Sequence, residues 1–327
     1  MNYRDFIGNE SAKGYLDGLL AHDRVGHAYI FTGEKGLGKR TLAGQFARAL
    51  LCTGEGERPC GACHGCRMAL SGNHPDLIWV THEKPNLITV DEVRDQIVSQ
   101  VSVKPYYNGK KVFIVPDAGL MNLRGQNAIL KTIEEPPAYA VILLLSENRD
   151  MLLPTIGSRC VTVSLKPLHR KQVEEYLTAR RQVPSGQAAV LSALSHGNIG
   201  RAIRMLEDEE YRACSDMTMQ FLRDPMNMAI DEVFAFAKEA AKKKEQILDM
   251  LDIMLFWYRD VLMAKTAGKE ASLTFIEETE YIVTRAKRLD YADIGRALKE
   301  IGYTKERLSA NVSAETGMDV LLLAMRA

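Results

Sequence analysis

An apolar run that ends in a glycine-rich turn and restarts as a helix leaves a chain few folds to choose from. Here the run is His27-Ala28-Tyr29-Ile30-Phe31-Thr32 and the turn is Gly33-Glu34-Lys35-Gly36-Leu37-Gly38-Lys39-Arg40-Thr41. Leu42, Phe46, Ala49 and Leu50 follow at a spacing that puts them on one helix face. Backbone N–H groups of such a turn, and the positive end of its helix, point at an anion. Gly33, Gly36, Gly38, Lys39 and Thr41 are therefore the candidate phosphate-binding residues for ATP or ADP. Gly33, Gly38 and Lys39 match the G-x-x-x-x-G-K pattern, but the next position, where Ser or Thr holds Mg²⁺ in an active loop, is Arg40. Thr41 stands one residue late. The glycines also suit a tight turn with no nucleotide, so both readings stand at this point.

The rest of the first half alternates in the same way. Asp76-Leu77-Ile78-Trp79-Val80, Lys111-Val112-Phe113-Ile114-Val115, Val141-Ile142-Leu143-Leu144-Leu145 and Val161-Thr162-Val163 read as further strands. Between them a helix begins at the capping box Thr89-Val90-Asp91-Glu92, with Val90, Val93, Ile97 and Val101 as its apolar stripe. Pro105 and Asn108-Gly109 mark a turn, and a helix from about Leu120 to Glu135 is stopped by Pro136-Pro137. A leading helix is expected over residues 5–24, with Leu16, Leu19 and Leu20 inward. Strands alternating with helices imply a parallel sheet covered on both faces. Beyond Lys166-Pro167 only helical periodicity continues: a small unit over 167–207, then a longer helical region over 208–327. In the latter, Ile247, Met250, Leu251, Met254, Leu255 and Tyr258 share a face, Ser272 to Tyr281 reads as helix, and Asn311 to Ala327 as the last one. The fold class is α/β followed by all-α, in three domains: 1–166, 167–207 and 208–327.

Four of the six cysteines crowd together as Cys52, Cys60, Cys63 and Cys66, spaced C-x₇-C-x₂-C-x₂-C. In a reducing compartment clustered thiols point to metal, and a four-thiolate set favours structural zinc; an iron–sulfur cluster uses the same donors. His64 is an alternative donor that four cysteines do not need, and Cys160 and Cys214 read as ordinary buried residues. The formal net charge is zero, which disfavours a free-standing nucleic-acid binder while allowing a local basic patch. No apolar run reaches about 18 residues, so no membrane contact is expected. Met1-Asn2-Tyr3-Arg4-Asp5 opens without a signal-peptide pattern, and the expected compartment is the cytoplasm.

Taken together, the glycine loop, the cysteine module, Lys111 to Val115, the block Asn127-Ala128-Ile129-Leu130-Lys131-Thr132-Ile133-Glu134-Glu135-Pro136-Pro137 and the triplet Ser158-Arg159-Cys160 resemble the AAA+ subunits of the bacterial clamp loader. The resemblance implies an AAA+ nucleotide domain with a zinc module inserted at 52–66, a helical lid and a helical collar. It also implies the partners: ATPase motor subunits and a delta subunit in a heteropentameric ring, with the sliding clamp and primed DNA met through the complex. Such a ring is a component of the replicative DNA polymerase holoenzyme.

Three departures bear on the chain's own ATP site. Arg40 replaces the Mg²⁺ ligand. Pro116-Asp117 stands where active members carry Asp-Glu, which organise the metal and the attacking water. Gly200 falls where motor subunits use an arginine, with Arg201 one position on. Arg159 is kept, and in this family the Ser-Arg-Cys triplet supplies an arginine finger to a neighbour's ATP site. The expectation is a subunit without hydrolysis of its own that donates Arg159 in trans; the alternative is an ATP-hydrolysing motor subunit of the same ring. An ion-paired surface arginine is the plainer reading of Arg159. Ser146 occupies a sensor-like strand end, Asp117 is a weak base candidate, and Glu134, Glu135 and His74-Pro75-Asp76 read as structural.

Overall fold

A computed structural model of the chain describes all residues except Asn2, Arg4, Asp5, Asn108, Lys244, Glu245, Asn311, Val312 and Ala327, and describes Lys269 and Ser309 by backbone alone. The chain divides into two compact units, Met1–Leu168 and His169–Ala327.

The first unit runs α1 (Glu10–Ala21), β1 (Ala28–Thr32), α2 (Lys39–Leu50), α3 (His64–Leu70) and β2 (Leu77–Trp79). Next, α4 (Val90–Val93) continues through a π-helical turn, Arg94–Val98, into α5 (Ser99–Val101). Then come β3 (Lys111–Val115), α6 (Leu123–Glu134), β4 (Ala140–Ser146), α7 (Pro154–Gly157) and β5 (Val161–Ser164). The five strands form one sheet in the order β2-β3-β4-β1-β5, and every pairing is parallel. Each residue of β1, β3 and β4 is buried, as continuous apolar runs in the middle of a covered sheet require. Alternation then sorts the side chains. Tyr29 and Phe31 pack with Leu16, Leu42 and Phe46 on one face, while Ile30, Phe113 and Ile142 pack with Val93, Ile97, Ile129 and Ile133 on the other.

Local chemistry places the helix ends. The Thr89 hydroxyl accepts from the Glu92 N–H and the Glu92 carboxylate accepts from the Thr89 N–H, which completes the expected capping box. The leading helix is shorter than the periodicity suggests. Asn9 takes a left-handed conformation, so α1 starts only at Glu10 and ends at Ala21; Asp5, in the expected span, lies outside the described residues. Asn122 caps α6 through its side chain, delaying that helix to Leu123 after a short 3₁₀ turn, Ala118–Leu120. The turn expected at Asn108-Gly109 includes Asn108, outside the described residues.

The second unit is helical: α8 (Arg170–Arg181), α9 (Ser185–Leu194), α10 (Ile199–Glu207), α11 (Glu209–Arg223), α12 (Ile230–Lys242), α13 (Ile247–Ala267), α14 (Thr279–Arg288), α15 (Tyr291–Ser309) and α16 (Ala314–Ala324). It contains both the segment expected as a lid and the segment expected as a collar. Its axis is α13, where Met250, Met254, Trp257 and Tyr258 are fully buried, so the Met-containing stripe is core. Ser272 to Phe275 does not continue the helix predicted there. The buried Asp260 carboxylate accepts the N–H groups of Thr274 and Phe275, which holds an open turn, and regular helix resumes at Thr279 after a 3₁₀ turn. The last helix begins at Ala314; Asn311, Val312 and Ala327 of the predicted span lie outside the described residues. Among the described residues, no helix is long and apolar enough to cross a membrane.

Candidate functional site

The glycine loop joins the carboxyl end of β1 to the amino end of α2, the edge of a parallel sheet where ligands generally bind. Gly38 caps α2 in a left-handed conformation, and a Cβ there would lie 2.9 Å from the Phe6 ring, so both backbone and packing demand glycine. Gly38 brings no side chain to cap α2, and the first turn of that helix carries no acidic residue to offset the positive end of its dipole. Lys39 turns its ammonium onto the carbonyls of Gly33 and Glu34, the latter at 2.9 Å. Burial pushes its pKa down, and the charges of Glu147, Asp117 and Glu34 partly hold it up. Arg40 is exposed and faces away from the loop: its guanidinium carbon sits 5.2 Å from the centre of the Trp79 ring on β2. Thr41, one position later, is exposed as well.

Asp117 follows β3 and Ser146 ends β4, so the topology gathers both at the edge that carries the loop. A cleft of about 200 Å³ there is lined by Lys35, Asp117, Ser146, Glu147, Gly119 and Met151, among others. Asp117 is left-handed at φ 51°, and the buried Ser146 hydroxyl donates to the Asn148 carbonyl at 2.7 Å. Pro116 brings no carboxylate to the cleft.

Arg159 lies elsewhere. It precedes β5, whose first residue pairs with Tyr29 and whose last pairs with Thr32, next to Gly33. At about 3.3 Å per residue, this puts Arg159 on the order of 15 Å from its own glycine loop, at the opposite edge of the sheet. Its Nε contacts the Glu134 carboxylate at 3.0 Å, and its Nη1 donates to the Thr155 carbonyl at 3.1 Å and the Ser158 hydroxyl at 3.2 Å. The plainer expectation, an ion-paired surface arginine, is thus met as far as contacts go. Sequence reasoning treated Glu134 as structural and missed this partnership. The one signal for it was a carboxylate in the last turn of a helix, at the negative end of the dipole.

The four cysteines converge: their sulfurs all lie within 4.8 Å of one another. Cys52 and Cys63 are 3.9 Å apart and Cys60 and Cys66 4.0 Å. Sulfurs arranged tetrahedrally about 2.3 Å from zinc are about 3.8 Å apart, so the donor set fits such an ion. Backbone N–H groups of Cys60, Cys63 and Cys66 point at the sulfurs of Cys52, Cys60 and Cys63. Burial pushes the Cys63 thiol up, but the N–H groups of Cys66 and Thr53 outweigh it and bring that thiol down to about 5. Gly65 lets the turn close: a Cβ there would meet the Leu51 carbonyl oxygen at 2.7 Å. His64 stays out of the cluster and contacts the Tyr107 hydroxyl at 3.2 Å. His74 and Asp76, read as a turn, are buried; the Asp76 carboxylate accepts the N–H groups of Tyr106 and Tyr107. Cys214 is buried as expected, and Cys160 is half-buried.

A covered parallel sheet with a glycine loop at its carboxyl edge, a four-cysteine module and a helical second unit define a parallel α/β protein with a helical extension. A family model described as DNA polymerase III, delta subunit, matches residues 8–169. The Escherichia coli (strain K12) DNA polymerase III subunit delta' is 34% identical over 288 residues, covering 86% of this chain and 83% of that protein. The Bacillus subtilis (strain 168) subunit delta' is 29% identical over 312 residues, covering 94% and 93%. The chain belongs to the delta-prime family of DNA polymerase III subunits. The Haemophilus influenzae subunit tau/gamma shares 34% identity over 176 residues, 54% of this chain but 25% of that longer protein. Among solved structures, a gamma subunit-related protein of Thermotoga maritima aligns over 95% of this chain and 98% of that one at 17% identity, with a TM-score of 0.43.

Proposed function

We propose that this chain is a clamp-loader subunit that hydrolyses no ATP and lends Arg159 to the ATP site of a neighbouring motor subunit. The observation that carries this reading is the position of Arg159. It sits across the sheet from its own loop, exposed, with no described residue bonded to its Nη2. A guanidinium so placed has no part in a reaction at its own loop, yet it is available to charge developing on a phosphoryl group of another chain. Three features support the absence of turnover. Arg40 is stacked on Trp79 where a metal-holding hydroxyl is needed, Pro116 withholds a carboxylate, and Gly200 offers no side chain to a nucleotide. Arg201 does not substitute for it, because its guanidinium is bonded to Asp249 and Asp252 on α13. The loop itself, with Gly33, Gly36, Gly38, Lys39 and Thr41, keeps the shape to bind ATP or ADP without turning it over.

On this reading residues 1–166 are the nucleotide-binding-like domain, 167–207 the lid and 208–327 the collar through which the ring assembles. The ring partners are the motor subunits and a delta subunit, and the complex acts on the sliding clamp and primed DNA in the cytoplasm. Cys52, Cys60, Cys63 and Cys66 hold a structural zinc that braces an insertion too short to build a core. Two assays on one preparation test the proposal: ATP turnover by the isolated chain, and clamp- and DNA-stimulated turnover by motor subunits with and without it. A silent isolated chain that raises the rate of the motors supports the reading. Turnover by the isolated chain would make it a motor subunit instead.

A further inference from the structure

We propose that Glu134 is a positioning residue for Arg159, holding the guanidinium in the orientation from which it serves the neighbouring ATP site; this rests on the finger-donor reading above. Three contacts fix the plane of the group. Glu134 takes Nε at 3.0 Å, while the Thr155 carbonyl and the Ser158 hydroxyl take Nη1 at 3.1 and 3.2 Å. Nη2, without a partner among the described residues, is the edge left to a phosphate oxygen. The Glu134 and Arg159 side chains are 43% and 42% exposed, so water screens the pair and its contribution to stability is small. Its location points the same way. A carboxylate in the last turn of α6 works against the helix dipole, so the pair adds little to the stability of that helix.

The same helix holds the segment before the arginine. The Gln126 amide nitrogen donates to the carbonyls of Met121 and Met151 at 3.0 and 3.2 Å, and its oxygen accepts the Leu153 N–H at 2.7 Å. α6 therefore grips the chain on both sides of α7, by a buried amide before it and by a carboxylate after it. Without Glu134 the guanidinium is held at Nη1 alone and is free to tilt about that contact, and an orientation lost in this way is lost from the rate rather than from affinity for ATP.

The test uses rings rebuilt with this chain as wild type, E134A, E134Q, R159A and E134A/R159A, and reads clamp- and DNA-stimulated ATPase as kcat and KM. Co-elution with the other subunits and a thermal melt check assembly and folding of each variant. The expected result is that E134A reduces the Arg159-dependent part of kcat about tenfold with KM for ATP unchanged. E134Q, which keeps an oxygen acceptor for Nε, recovers most of it, and the double variant is no slower than R159A alone. If R159A slows the ring and E134A does not, the positioning role is wrong and the finger reading stands. If R159A itself runs at the wild-type rate, the finger reading has failed. A faster E134A ring makes Glu134 a restraint on the arginine, and a double variant slower than R159A gives it another role; either overturns the inference.

Discussion

Arg40 and Arg159 are both exposed arginines on one α/β unit, and their surroundings set them different tasks. Arg40 spends its cation on the face of Trp79, whereas Arg159 keeps one nitrogen in hand. At this scale the glycine loop is the most constrained feature. Gly38→Ala imposes a left-handed backbone on a residue with a Cβ and drives that carbon against Phe6. The expected cost is about 1–3 kcal/mol, seen as a lower denaturant midpoint with an unchanged slope. The loop was legible in the sequence because its chemistry is local: glycines, a lysine and a helix start within nine residues. The partners of Arg40 and Arg159 were not, because Trp79 and Glu134 come from other elements and no short-range pattern announces them. The missing metal ligand at Arg40 could be read from the sequence, but the stacking that occupies that side chain could not.

Among elements, α13 shows what a buried helix does with its charges. Asp249 and Asp252 are nearly buried, and they are matched by Arg201 and Arg204 from α10 and Lys305 from α15. Arg201 reaches Asp249 at 2.7 Å and Arg204 reaches it at 3.0 Å. Burial raises the pKa of Asp252, but hydrogen bonds from His196, Lys305 and Arg201 outweigh it and hold the carboxyl below the ordinary aspartate range. Asp252→Asn leaves two cations facing a neutral amide and is expected to cost about 3 kcal/mol at pH 7. The sign of the pH effect follows from the depressed value. The Asp252 contribution is complete above the unfolded aspartate pKa of about 3.9 and is lost as pH falls toward the lower native value. Wild type should therefore lose stability over that acid window more steeply than the asparagine variant, in denaturant titrations at a series of pH values. A parallel loss in both proteins would place the acid sensitivity elsewhere. The helical character of this unit was legible from its periodicity, and Ile247 to Tyr258 marked α13, but α11, α12 and α15 were not singled out. The open turn at Thr274 was not, since it depends on the carboxylate of Asp260, a full turn of tertiary structure away.

For the whole molecule, the two units rest on different supports. The first has a covered sheet and a small cysteine module whose own apolar content is slight, and on the zinc reading proposed above the module's fold follows metal binding. One zinc per chain is expected by elemental analysis. Chelation, or Cys66→Ala, should lower the melting transition of the first unit while leaving the helical signal of the second; an equal loss in both, or no metal at all, would contradict that. The parallel sheet followed from alternating strand and helix runs, and the four-cysteine set from spacing alone, whereas the order β2-β3-β4-β1-β5 rests on pairings between distant segments that no run of residues announces. Spacing placed Arg159 before a strand and the loop after one, hence at opposite ends of a parallel sheet, but not that the two strands, β5 and β1, are neighbours in register. The central claim, that Arg159 works for a neighbour, is met most directly by the clamp- and DNA-stimulated ATPase rate of the complete ring carrying Arg159→Ala. An assembled ring that has lost the turnover of one motor site is the predicted result, since such a group supplies on the order of 10³-fold or more to the site it serves. An assembled ring turning over ATP at the wild-type rate would contradict it.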